Sequence, residues 1–337
     1  MKTFYIYDSF TLPTAYNHRF FVEKFARGFI YHGYNVKVVS KPEQIKNPGF
    51  VMLSDHPFYN SFGTRNNRSG NKLFYIPSTI DKINKKIDIL TKLNNQIQVK
   101  SIENLAKHIK NKGVTLIAWF RHYQNEFMDY LGIPIIYTGE YFYTKPFSEK
   151  QLSWYNFYQR NKNALPIEFA ADINPNEIGH DCKNKKYTVS YVGNKGYKPY
   201  LYNTFLGKKD CSINPTPPYI TELQRIKIYK NSIISLGLHA DINIKNAIVN
   251  ERVFEALAYG AICITDNKFA LKATDGLAIL INSTNELISE VNKLIDDKER
   301  VHRLKQLGFK FIVAKGSYMQ RAQKFIELNE KLFHNQS

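Results

Sequence analysis

The chain has 337 residues, including 23 Tyr, 23 Phe and three Cys, and a formal net charge of +18. That length exceeds what one hydrophobic core usually serves, so two domains are expected, and the ordinary apolar content excludes a disordered chain. Cys182, Cys211 and Cys263 are far apart with no ligand spacing, which argues against a disulfide framework or a thiolate metal site and for a reducing compartment.

The opening MKTFYIYDSF has no apolar leader core, and no run approaches about 18 apolar residues, so the expectation is a cytoplasmic protein without a spanning helix. Residues 1–165 carry 23 Lys and Arg against 11 Asp and Glu, and residues 166–337 carry 24 against 18. The basic excess lies mainly in the first half. Either this is the solvated surface of an Asn-, Lys- and Ile-rich chain, or it meets an acidic partner: phosphates, an anionic membrane face or nucleic acid.

The first strand is Phe4–Tyr7, followed by a polar loop, Asp8–Asn17. Phe21, Phe25 and Phe29, flanked by Val22, Ala26 and Ile30, form one apolar helical face that Gly33 ends. Val36–Val39 is a second strand, completing a βαβ opening. Strands are predicted at Phe50–Leu53, Leu73–Ile76, Val114–Trp119 and Ile133–Tyr137, with a Lys-rich helical stretch over about 80–110. Strands alternating with helices predict a parallel sheet covered on both faces.

An aromatic and Asn-rich connection covers about 141–185, and the pattern then restarts. Strands are expected at Thr188–Val192, Ser232–Leu238, Ala261–Thr265 and Leu277–Ile281. Helices are expected near 251–259, 286–295, 298–308 and 318–334. Two α/β units in series result, and in such sheets ligands sit at the carboxyl ends of the strands.

The stretch NERVFEALAYGAICITDN (250–267) carries the chemistry. A helix starting near Asn250 offers backbone N–H groups and the positive end of its dipole to an anion. Arg252 in the first turn adds a charge-assisted bond. Glu255, one turn on, is placed to accept from paired hydroxyls such as those of a ribose. As an isolated feature, Glu255 is better read as an acid favouring the helix dipole. Gly193-Asn194-Lys195-Gly196 follows a strand of the same domain, where glycine lets a ligand approach the backbone, and Lys195 and Lys198 are candidate phosphate contacts. His239 follows another strand end, as a ligand contact or a structural histidine.

Five pieces in order, LPIEFAADINP (165–175), VSYVGN (189–194), IISLGLH (233–239), NERVFEALAYGAICITD (250–266) and GFKFIVAKGSYMQRAQKFIEL (308–328), resemble the group 1 glycosyltransferases of the two-Rossmann, GT-B architecture. The resemblance is to their spore-maturation-protein-like branch and covers about half the chain. It implies an acceptor domain over 1–165 and a nucleotide-sugar domain over 166–337, facing across a cleft, with a last helix that crosses back to the first domain. It implies that Glu255 holds the ribose and that Asn250, Glu251 and Arg252 face the diphosphate and donor sugar. Many relatives carry another acid eight positions earlier, where this chain has Ala247; Asn246, Asn250 and Glu251 are the candidate replacements.

The activity so implied is transfer of a sugar from a UDP- or GDP-sugar to a saccharide or lipid-linked acceptor, with retention of configuration. No Asp-x-Asp and no His/Asp cluster with ligand spacing is present in the sequence, so neither a metal nor another cofactor is expected. Should a protein base be required, His18 at a helix start is the leading candidate, ahead of Asp55, His56, Asp8 and Glu140. Lys82, Lys85, Lys86 and Lys92 are candidates for contact with an anionic membrane surface, giving a peripheral location. A nucleotide-sugar epimerase or a non-catalytic sugar-nucleotide binder shares the pattern. A nucleic-acid binder shares only the charge, without a recognition motif.

Overall fold

The computed structural model describes residues 2–7, 16–53, 100–119, 131–139, 141–173, 185–216 and 220–334. The expected strand at 73–76, the Lys-rich stretch up to residue 99 with Lys82, Lys85, Lys86 and Lys92, and Asp8, Asp55, His56 and Glu140 lie outside the described residues. His18 falls in a helix, with its side chain outside the described set.

The chain forms two compact units. One comprises residues 1–139, 163–165 and 325–337, the other 140–162 and 166–324. In the first, β1 (Thr3–Tyr7), β2 (Asn35–Val39), β3 (Gly49–Leu53), β4 (Val114–Trp119) and β5 (Ile135–Thr138) form a parallel sheet in the order β2-β1-β3-β4-β5. Helix α1 (Tyr16–Tyr31) and helix α2 (100–109) supply apolar faces. The four-residue spacing of Phe25 and Phe29 puts both on the sheet side of α1: Phe29 stacks on Phe4 at 4.3 Å, and Phe25 meets Phe29 edge-on at 5.2 Å.

In the second unit, helix α3 (Glu149–Arg160) precedes β6 (Tyr187–Asn194) and β7 (Cys211–Thr216). Then come α4 (Glu222–Lys230), β8 (Ser232–Gly237), α5 (Glu251–Ala258), β9 (Ile262–Thr265) and β10 (Ile279–Leu280). Helices α6 (Thr284–Asp296), α7 (Lys298–Phe311) and α8 (Tyr318–Asn329) end the described chain. The parallel order is β10-β9-β8-β6-β7. Both faces of the sheet are buried, with the two-residue period this requires. Ile262 and Ile264 pack with Leu287, Val291 and Leu294, while Cys263 between them packs with Val253 and Phe254.

Two departures from the predicted elements have local causes. β7 reads CSINPT, whose proline and polar residues hide a strand, but β7 is a sheet edge, where proline is tolerated. Helix α3 lies inside the expected connection, and Ser148 caps it by accepting the Gln151 N–H at 3.4 Å. Helix α8 begins in the second unit and ends in the first, where Phe325 packs edge-on against Phe25 at 4.9 Å.

Candidate functional site

Both sheets have the strand order 2-1-3-4-5, and in the second the order reverses between β6 and β8. That reversal opens a crevice at the carboxyl ends of the strands, the usual ligand position in such sheets. A cavity of about 460 Å³ lies there, bordered by Gly193 and Asn194 from the end of β6, Arg225 and Tyr229 from α4, and Asn250, Glu251, Arg252 and Glu255 from the start of α5. Phe169, Val192, Tyr197 and Ile220 complete it. Six of the residues singled out in the sequence therefore come together: Gly193, Asn194, Asn250, Glu251, Arg252 and Glu255.

Helix α5 starts at Asn250, the N-cap residue, whose side chain makes no capping bond to the helix. Its Oδ1 accepts from Asn243 Nδ2 at 3.0 Å instead. The positive end of the helix dipole therefore borders the cavity. Arg252 is held from three sides: Nη1 donates to the Leu238 carbonyl at 3.1 Å, the guanidinium lies 5.5 Å from the Tyr197 ring centroid, and it runs close over Gly193. A Cβ at residue 193 would collide with Arg252 Nη1 and come within 2.7 Å of the Tyr191 hydroxyl, so only glycine fits beneath the guanidinium. Burial drives the Tyr191 pKa up to about 12, with Arg252 opposing the shift, so this neighbour remains neutral.

Glu255 is buried, with 4% of its surface exposed, although it is a carboxylate on the cavity wall. Its partner is Arg225, whose Nη2 donates to Oε1 at 2.8 Å. Burial alone would lower the Arg225 pKa, but the Glu255 carboxylate, together with Tyr229, Glu251 and Glu222, outweighs it and the pKa is raised. Glu251 accepts a bond from the buried Tyr318 hydroxyl at 3.0 Å. Arg225 was not visible as a site residue in the sequence. The Thr221/Gln224 capping pair marks the start of α4 but says nothing of where Arg225 leads.

Three expected contacts lie elsewhere. Lys198 pairs with Asp241, a contact that raises the Lys198 pKa and lowers that of Asp241. Lys195 is exposed and offers its carbonyl to the Tyr202 hydroxyl at 2.7 Å. His239 is fully buried, with its ring nitrogens on Asp266 and on the backbone of Asn250. None of the three lines the cavity. Ala247 is buried at φ 55° in the apolar cluster that includes residues of α5. Among the described residues, no three His, Cys, Asp or Glu side chains converge as a metal site.

Residues 185–327 match a family model described as glycosyl transferase-like. Among solved structures, an alpha-glucosyltransferase in complex with UDP superposes with a TM-score of 0.56 at 9% identity, over 97% of this chain and 100% of that one. An alpha-glucosyltransferase with UDP and a 13-mer DNA containing an HMU base gives 0.49 at 10% identity, over 97% and 99%. Anabaena HepE in complex with UDP gives 0.46 at 11% identity, over 98% and 100%. No curated protein sequence matches the chain.

The two doubly wound parallel sheets define the GT-B architecture, as the first of these superpositions shows. Within that fold, residues 185–327 are the glycosyl transferase-like segment of the chain.

Proposed function

We propose that the second unit binds a uridine diphosphate sugar and that the chain transfers the sugar, with retention and without a metal, to a saccharide or lipid-linked hydroxyl presented by the first unit. The observation that carries this reading is the pairing, in one cavity, of a helix N-terminus bearing Arg252 with a buried carboxylate one turn on, Glu255. The first fits a diphosphate and the second a vicinal diol. The structurally similar alpha-glucosyltransferase was solved with UDP, which supports uridine over guanosine. Asn250 and Glu251 then face the donor sugar in place of the acid that Ala247 replaces.

In the reaction, the bond between the anomeric carbon and the diphosphate oxygen breaks and its electron pair goes to the diphosphate. The helix dipole and Arg252 stabilise the charge that develops there. The acceptor oxygen forms the new bond to the anomeric carbon on the same face, and its proton passes to the departing phosphate oxygen. His18 is the reserve base if the configuration inverts. The basic first half supports an anionic surface as the place where a lipid-linked acceptor is met.

The test is nucleotide release from a panel of UDP- and GDP-sugars, with and without saccharide acceptors. Acceptor-dependent release of UDP with a new glycosidic product is expected. Free UDP from a UDP-sugar without any acceptor would point to an epimerase. Binding without turnover of any donor would point to a catalytically inactive sugar-nucleotide module.

A further inference from the structure

Behind the cavity wall runs a hydrogen-bonded bracket that does not itself border the cavity. His239 Nε2 lies 3.0 Å from the backbone nitrogen of Asn250. An amide N–H only donates, so Nε2 carries no proton and the ring proton sits on Nδ1. Nδ1–H then donates to Asp266 Oδ1 at 3.2 Å, and the same oxygen accepts the His239 backbone N–H at 3.0 Å. Burial pushes the His239 pKa below its ordinary value, in keeping with a neutral ring.

The neighbours of Asp266 extend the bracket. Thr265 Oγ1 donates to the Gly237 carbonyl at 2.8 Å, and Asn267 Nδ2 donates to the Ile248 carbonyl at 2.9 Å. The strand-end triplet Thr265-Asp266-Asn267 thus ties the end of β8 to the loop that leads into α5. Both ring nitrogens of His239 are engaged, so it offers neither a base nor a ligand group.

We infer that His239 and Asp266 are positioning residues for the donor diphosphate, acting through the backbone of Asn250. Asn250 holds extended backbone angles, φ −75° and ψ 152°, at the point where the helix begins, and its side chain does not cap that helix. The bond from its N–H to His239 therefore sets the direction of the first amides of α5. Arg252 takes the same reference, since its guanidinium rests on the carbonyl of Leu238, the residue next to His239. Without the imidazole acceptor, the loop keeps its contacts at Ile248 but loses the one that fixes the helix start. This inference deepens the donor-site reading and rests on it.

Two variants and one spectrum test it on the full chain. His239→Phe removes both ring hydrogen bonds at similar size, while His239→Gln restores an acceptor for the Asn250 N–H. Titration calorimetry should show UDP weakened tenfold or more in His239→Phe, uridine changed less than twofold, and UDP within threefold of wild type in His239→Gln. UDP and uridine losing equally, or Gln no better than Phe, would overturn the assignment. If His239→Phe does not fold, ¹⁵N-histidine spectra of the wild type decide the point. Nδ1 protonated and Nε2 unprotonated between pH 5.5 and 8 supports the bracket, and the opposite tautomer or a charged ring refutes it. A wild-type protein that binds neither UDP nor GDP would sink the donor reading, while the tautomer still reports on the bracket.

Discussion

Glu255→Ala removes a carboxylate with two roles that a single variant confounds. The carboxylate neutralises Arg225, whose Nε already lacks a hydrogen-bond partner in a buried position. Breaking a buried pair from one side costs about 3–5 kcal/mol. Glu222 at 3.8 Å and the 22% side-chain exposure of Arg225 place this case near the lower end, at roughly 3 kcal/mol. For a unit of this size that is a fall in Tm of about 6–12 °C. The paired variant Glu255→Leu with Arg225→Met removes both charges, and its stability should return close to wild type. Its affinity for UDP should not return. Loss of a hydrogen bond to a charged group costs roughly 1.5–3 kcal/mol, which is about a 10- to 150-fold weakening. Thermal melts and calorimetry on the three proteins read the two quantities separately. The reasoning fails if Glu255→Ala melts with wild type, or if the paired variant binds UDP at wild-type strength.

Gly193→Ala should push Arg252 off the Leu238 carbonyl and weaken UDP more than tenfold while changing uridine little; equal losses would remove Gly193 from the diphosphate site. Arg252→Ala should weaken UDP by a similar factor, whereas Lys198→Ala, whose ammonium is occupied by the exposed Asp241, should change it less than threefold; the reverse order in calorimetry would return Lys198 to the phosphates. Phe325 is 1% exposed within the first unit, so Phe325→Ala should cost about 3–5 kcal/mol there; denaturant unfolding that matched wild type would show that this end of α8 adds nothing to the core.

What was legible in the sequence was what repeats along the chain. The Phe25/Phe29 spacing of α1, the strands β1 to β6, and the α5–β9 pair around Gly260 follow from periodicity and a terminating glycine. The cavity-lining residues on those elements, Gly193, Asn194, Asn250, Glu251, Arg252 and Glu255, were legible for the same reason: a strand end and a helix start bring them to one crevice. The rest depends on partners distant in the chain. Arg225 meets Glu255 across 30 positions, Lys198 meets Asp241 across 43, and His239 meets Asp266 across 27. No local pattern says whether a lysine faces a phosphate or an aspartate. β10 is shorter than predicted, two residues within an apolar run of five, because apolarity marks burial and not pairing.

The shared helix α8 has a consequence for how the protein is made. Phe325 completes the aromatic core around Phe25, yet it is synthesised 186 residues after Gly139, where the first long segment of that unit ends. At roughly 5–20 residues per second, that is an interval of about 10–40 s. N-terminal domains usually fold first as the chain emerges, but here the first unit waits for residues from Phe325 onward, which are made only after the second unit. Phe25 lacks its Phe325 neighbour for that time, while Phe29 already rests on Phe4 and Phe50, so the growing chain exposes an aromatic contact that the folded protein covers.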